Sequence, residues 1–382
     1  MKIDSASSRN LSAVSKLPFN ISISARFPRF LPTEYFDLGN YALNAQVSGD
    51  IFKGAPAGKV TLFSGEESTG KTFLALNASR GAQRKGYKII WVDTESAMDE
   101  NLMERFQIDS KECVILPMNT IDNVIKLITK IGEDLKYLKG QGEDIPKMMI
   151  VIDSLGNLTT QREIDQVIGG NIKADVGWKQ KLMKRLFTLC TVNMGVLQIP
   201  IIAVNHVYQT MNPYGEPTRM AGGAGPFYNS STIIDLSKAK LKDGKDKKQQ
   251  TGIIVTSKIK KSRFTKAGIP IKFQISHYKG MNPYIGLENF CDYKTCGIEK
   301  GKIKNKEFVN EGNKWYVEHL NKNLFERELY NSTIFTKDVL KKLQPKMIDI
   351  FELPPITTDY DIQEYTNEAE LSSGLEDLED EK

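Results

Sequence analysis

The residues best suited to chemistry lie together at Gly65-Glu66-Glu67-Ser68-Thr69-Gly70-Lys71-Thr72. This is the spacing GxxxxGK[ST], placed after an apolar run and before a helix-like one. Glycines at the two ends let the backbone curl, so successive N–H groups point into one concavity. With the start of the following helix they form an anion cradle. Lys71 supplies a point charge for the outer phosphates of a nucleoside triphosphate, and the Thr72 hydroxyl can take one place on Mg²⁺. A second metal-side group is needed, and Asp153 ends the apolar run Met148–Ile152. A strand-end aspartate can equally cap a turn; downstream of this loop the metal role is the stronger reading. Hydrolysis further requires a group that positions or deprotonates water. Glu95 follows the run Lys88–Val92 and suits that task, or else it is the negative charge at the start of the Ala97–Phe106 helix. Spacing alone leaves both roles open.

Such residues need a scaffold that brings several strand ends to one edge. The runs Lys59–Phe63, Lys88–Val92, Met148–Ile152 and Ile199–Val204 are apolar at consecutive positions, as in strands buried on both faces of a parallel sheet. Between them, Thr72–Lys85, Thr120–Leu138 and Gly177–Asn193 have helical length and spacing. The fold class is therefore α/β, a mostly parallel central sheet flanked by helices with right-handed crossovers. Two stretches, 156–176 and 207–225, resist assignment, and loops this long inside a core are usually functional. Ile253–Lys258 and Ile269–His277 read as strands around a basic turn.

The division expected is an N-terminal arm over 1–37, a core over 38–290, a small module over 291–351 and an acidic tail over 352–382 read as disordered. The chain has 382 residues, 40% hydrophobic and 26% charged, an ordinary globular balance. No apolar run approaches the roughly 18–20 residues that span a bilayer, so no membrane role and a cytoplasmic location are expected. Four cysteines without a second close pair argue against structural zinc. The net charge of +5 hides an asymmetry: from Glu352 onward eleven acidic residues face Lys382 alone, leaving +15 on the rest. That pattern suits a body that meets a polyanion and a tail that competes with it or docks a partner.

Taken in order, the 65–72 loop, the Trp91–Asp99 segment, the Ile150–Thr159 strand end, the Ile201–His206 strand end and the Thr256–Phe264 turn resemble the RecA family of recombinases. Ile152–Gln161, Met183–Phe187 and Gly222–Pro226 are most similar to its T-even-phage members. The resemblance covers about residues 38–290. It implies a RecA-type P-loop core that binds ATP and Mg²⁺ and assembles head-to-tail as a helical filament on single-stranded DNA. Such a filament pairs that strand with homologous duplex DNA and works with a single-strand-binding protein and a recombination mediator. It implies that Glu95 is the catalytic carboxylate and that His206 senses the terminal phosphate, where bacterial members carry Gln.

Lys261 and Arg263 match a basic pair that reaches a neighbouring subunit's ATP. Asp99 matches a base-contacting acid, although Leu102 stands where bacterial members have a stacking Tyr. The two long stretches become DNA-binding loops. Gly222, Gly223 and Lys184 match DNA contacts, while Arg162, Lys173, Tyr208 and Arg219 are candidates by charge and stacking ability only. From Lys238 to Lys272 there are twelve Lys/Arg against two Asp, which marks a functional surface, with Lys242–Lys248 read as a solvated hairpin. The alternative reading is a hexameric helicase on the same core. The single core, the short arm and the order of the two loops count against it.

Overall fold

The computed structural model describes residues 31–170, 177–209, 218–242 and 250–353. The first thirty residues, Lys173 with its neighbours, residues 210–217 of the second long stretch, the basic stretch 243–249 and nearly all of the acidic tail lie outside the described residues. The described residues through Glu352 belong to one unit.

The apolar runs fold as expected and extend by one to a few residues into polar sequence. The central sheet has ten strands. In chain order they are β1 (Val60–Gly65), β2 (Lys88–Asp93), β3 (Cys113–Pro117), β4 (Met148–Asp153), β5 (Ile201–Gln209), β6 (Thr218–Met220), β7 (Thr232–Lys242), β8 (Gln250–Ser262), β9 (Ile271–Ser276) and β10 (Gly280–Met281). The spatial order is β10-β9-β8-β7-β1-β5-β4-β2-β3, with β6 paired to β5 off that path. From β3 to β7 the pairing is parallel, and β8, β9 and β10 continue it antiparallel.

Strand periodicity divides the core into two buried clusters. Phe63, Ile89, Trp91, Met149, Val151, Ile202 and Val204 join one cluster. Their neighbours Leu62, Val92, Ile150, Ile152, Ile201 and Ala203 join the other. The first cluster contains residues of α1 (Tyr41–Ser48), α2 (Lys71–Gln83) and α3 (Glu100–Arg105). The second contains residues of α4 (Ile121–Gly140) and α6 (Trp178–Leu189). The last helix, α8 (Lys337–Phe351), adds Leu340, Leu343, Met347 and Phe351 to the same cluster as α1. The Phe290 and Phe351 ring centroids lie 5.4 Å apart.

The stretch 156–176, expected as a loop, contains α5 (Gln161–Ile168). Its start is a capping box: Thr160 Oγ1 accepts from Glu163 N, and Glu163 accepts from Thr160 N. The stretch 207–225 is likewise part strand, since β5 runs on to Gln209 and β6 folds back against it. After Gly222 and Gly223, at φ 81° and 72°, comes the short α7 (Ala224–Asn229). A Cβ on Gly225 would come within 2.8 Å of the Lys184 Cα, so only glycine lets α7 lie this close to α6. Two further boundaries shift. Helix α3 starts at Glu100 because Asp99 caps it, and α6 passes into a π-helical turn over Cys190–Met194.

Candidate nucleotide site

The C-terminal ends of β1, β2, β4 and β5 converge on a cleft of about 1130 Å³. From the 65–72 loop, Glu66, Glu67, Ser68, Gly70, Lys71 and Thr72 line it, while Gly65 and Thr69 shape the loop from behind. Gly65 has φ 156°, and a Cβ there would come within 2.5 Å of the Leu236 carbonyl on β7. Gly70 has φ 90° and immediately precedes α2. Thr69 Oγ1 donates to the Glu66 carbonyl at 2.9 Å. Lys71 is 5% exposed and donates to the Gly65 and Glu66 carbonyls at 3.0 and 2.6 Å. Burial pulls its ammonium below the usual lysine range.

Asp153 ends β4 and is buried. Burial raises its carboxyl to about 6, against the opposing pull of a hydrogen bond from Thr72. A desolvated carboxylate bonded to the loop hydroxyl fits a hard cation, because the cation would restore the lost solvation. Mg²⁺ takes few protein ligands beyond one or two carboxylates and leans on substrate phosphates. Among the described residues no cluster of three or more His, Cys, Asp or Glu could hold a metal unaided.

Glu95 stands on a turn held by Asp93, which accepts from Glu95 N and Met98 N, both at 3.0 Å. Thr94 ties that turn to β4: its Oγ1 accepts from Ser154 N at 2.8 Å and its N–H donates to the Asp153 carbonyl. The side chain of Glu95 is met by three groups on one oxygen. Ser154 Oγ donates to Oε1 at 2.9 Å, Asn157 Nδ2 donates at 3.0 Å, and His206 Nε2 lies 3.3 Å away. Sequence reasoning singled out Glu95 and His206 but missed Ser154 and Asn157, whose approach depends on the parallel pairing of β2 with β4. Nor does Glu95 act as a helix N-terminal charge, since Asp99 holds that place by accepting from Leu102 N at 2.7 Å.

Lys238, also missed, lines the cleft from β7 and donates to the Glu67 carbonyl at 2.6 Å. A second hollow of about 550 Å³ shares Phe73 with the first and is lined by Leu102, Arg105, His277 and Tyr278 among others. Asp99 lines neither.

The remaining candidates lie apart from the cleft, with one exception. Tyr208, expected with the DNA contacts, lines the cleft beside His206 and is 58% exposed. Its strand partner across the β5–β6 pair is Arg219. Arg162 is exposed on α5 and Lys184 on α6. Lys261 and Arg263 lie at the other end of the sheet, where Lys261 pairs with Ile233, whereas Leu236 pairs with Gly65 of the loop. Ile233 precedes Leu236 by three residues, roughly 10 Å of strand, β8 lies beyond β7 from the loop, and neither Lys261 nor Arg263 lines this chain's own cleft. Lys261 Nζ donates to the Phe227 and Tyr228 carbonyls at 2.8 and 2.7 Å.

A family model, that of the RecA N-terminal domain, matches residues 31–282. The chain belongs to the RecA family. It is 26% identical over 277 residues to the recombination and repair protein of Enterobacteria phage T4, covering 72% of this chain and 65% of that protein. It is 26% identical over 275 residues to Protein RecA of Gloeothece citriformis, covering 71% and 73%. A mitochondrial DNA repair protein recA homolog 3 of Arabidopsis thaliana is 25% identical over 329 residues, covering 84% and 69%. The chain thus spans just under two thirds of the phage relative's length. Among the described residues, no helix of this RecA-family chain is long and apolar enough to cross a membrane.

Proposed function

We propose that this chain is a DNA-dependent ATPase that forms helical filaments on single-stranded DNA and catalyses homologous pairing and strand exchange. The observation that carries this reading is the division of charge between the two ends of the sheet. The cleft holds Lys71, Thr72, Asp153 and Glu95 in mutual reach, while Lys261 and Arg263 lie outside its lining. A cation pair of that kind serves a phosphate site only on another copy, which makes turnover depend on assembly. Kinship with the phage recombination and repair protein and with RecA supports the same reading.

In this reading the 65–72 loop and the start of α2 cradle the phosphates of ATP, and the hollow beyond Phe73 takes the base. Thr72 and Asp153 would hold Mg²⁺, which supplies charge neutralisation on the phosphates. Glu95 positions the attacking water and takes its proton, while Ser154, Asn157 and His206 hold the carboxylate in place. Because His206 and Tyr208 share β5, and β6 leads on to Gly222 and Gly223, loss of the terminal phosphate is felt in the DNA loop. Arg162, Lys184 and Arg219 are the proposed phosphodiester contacts. Homologous duplex DNA, a single-strand-binding protein and a recombination mediator are the proposed partners, in a cytoplasm.

Two measurements test this. Electron microscopy with single-stranded DNA and a slowly hydrolysed ATP analogue should show open filaments of indefinite length; closed six-membered rings would mean a helicase instead. Lys71→Ala should abolish phosphate release, and unchanged release would overturn the site assignment.

A further inference from the structure

The cleft carries a second cation from its own chain that the phosphate-loop motif does not contain. Strand β7 runs parallel to β1, with its last registered pair at Gly65 and Leu236. There β1 ends and turns into the phosphate loop, but β7 continues to Lys242. The residue two beyond Leu236 points to the same side of the sheet as Leu236 itself. Leu236 lies in the cluster shared with α2. Lys238 is thereby carried over the loop, and its ammonium donates to the Glu67 carbonyl at 2.6 Å.

The charge around it needs such a group. Among the described residues that line the cleft, Glu66, Glu67, Glu95 and Asp153 are acidic, and Lys71 and Lys238 are the only Lys or Arg. A triphosphate entering this cleft meets an excess of negative charge, and Lys71 is engaged with the Gly65 and Glu66 carbonyls at its base. Lys238 and Lys71 both line this one cleft. Two ammonium groups converging on one cleft repel each other until an anion sits between them. Lys238 is itself exposed, yet it bonds a loop carbonyl beside the buried Lys71.

We propose that Lys238 is the second in-chain cation of the phosphate site. It anchors the loop through the Glu67 carbonyl and serves the terminal phosphate of a bound nucleoside triphosphate. This rests on the nucleotide reading above and adds a residue to it. Its consequence is discrimination: one subunit, before any neighbour arrives, prefers the triphosphate to the diphosphate through Lys238.

The test is fluorescence titration of the full chain without DNA, using a slowly hydrolysed ATP analogue and ADP with Mg²⁺. Lys238→Met should weaken the triphosphate analogue by about tenfold, the size expected for one charge-assisted hydrogen bond, and ADP by less than about twofold. Lys238→Arg should restore most of the preference. The ratio of the two affinities is insensitive to a partly unfolded sample. Equal losses for both nucleotides, or none for either, would overturn the inference and leave the nucleotide reading standing. Failure of the unsubstituted chain to bind either nucleotide would overturn both.

Discussion

The two ends of the parallel strands differ in how their charges are matched. At the C-terminal end, every ionisable side chain of the proposed machinery has a partner from the same chain: Lys71 the loop carbonyls, Asp153 Thr72, Glu95 three donors, Lys238 the Glu67 carbonyl. At the other end Lys59, Lys261 and Arg263 gather. Burial and the Arg263 charge push both lysines below their usual range. Lys261 rests on two backbone carbonyls at the end of α7, much as Lys71 rests on those of the loop, but Asp153 and Glu95 act on Lys71 whereas no carboxylate is among the groups that shift Lys261. One end is thus prepared to bind, and the other holds charge in reserve. A site built as two complementary halves is completed only by stacking copies in one direction, which is the head-to-tail assembly proposed above.

Removing the reserve should have the largest effect. Lys261→Ala with Arg263→Ala should leave ATP binding by isolated subunits unchanged and lower DNA-stimulated turnover by about 10³-fold, the low end of what a cation supplied in trans contributes. Mixing this variant with Lys71→Ala subunits decides the geometry. An interface between an intact cleft on one and an intact basic pair on the other should recover part of the turnover. No recovery at any ratio would mean that both halves act within one chain.

A smaller effect is expected from Glu95→Gln, which keeps the three contacts on the oxygen but removes the base. Turnover should fall by about 10²- to 10³-fold while nucleotide and DNA binding persist, so that filaments form and do not disassemble. Weakened ATP binding in this variant would reassign Glu95 to a structural role. His206→Gln keeps a donor near Oε1 and should retain most of the turnover.

These sites differ in how visible they were before folding. The phosphate loop, Asp153 and the runs of β1, β2 and β4 were legible, because strands buried on both faces show consecutive apolar residues and the loop has fixed spacing. Strand β3 was not, since it is a five-residue edge strand with only half-buried or exposed side chains. Strand β7 was hidden because its second half, from Ser237, leaves the core as exposed or half-buried sequence. Lys238 belongs to that half and was lost among twelve basic residues; only the register of β7 on β1 sets it apart. Ser154 and Asn157 acquire meaning only when β4 lies against β2. Helix α5 carried a readable signal in Thr160 and Glu163, but a short amphipathic segment with no buried residue gave no apolar pattern to support it.

The buried Asp153 gives the prepared end a pH signature. Its carboxyl sits at about 6, above the ordinary 3.8, because burial opposes the charge. The charged form therefore costs stability, in full above pH 6, and that cost disappears as the pH falls towards 4. Asp153→Asn should stabilise the metal-free chain at pH 8 by on the order of 1–3 kcal/mol and have little effect at pH 4, measured by urea denaturation. Mg²⁺-dependent nucleotide binding should run the other way, weakening by up to about tenfold per pH unit below 6. A pH-independent difference between the two proteins would mean that the Asp153 carboxyl titrates alike in the folded and the unfolded chain, so that burial does not shift it.

The smallest effect separates the two regions by stability alone. Helix α5 follows the end of β4, yet among the described residues it contributes no buried side chain, and its start is held by the capping box. Thr159 N donates to the Asn119 carbonyl and Ile121 N donates to the Thr159 carbonyl, fixing the entry to α5 against the start of α4. Thr160→Ala removes the Oγ1 acceptor for Glu163 N and should cost about 1 kcal/mol of stability. Because the P-loop, Asp153 and Glu95 have their own anchors, ATP affinity should not change, while DNA-stimulated turnover should fall with the loss of order in α5. If ATP affinity fell as well, the cleft and the helix proposed to contact DNA would be one cooperative element, and the independence assigned to the prepared end would be lost.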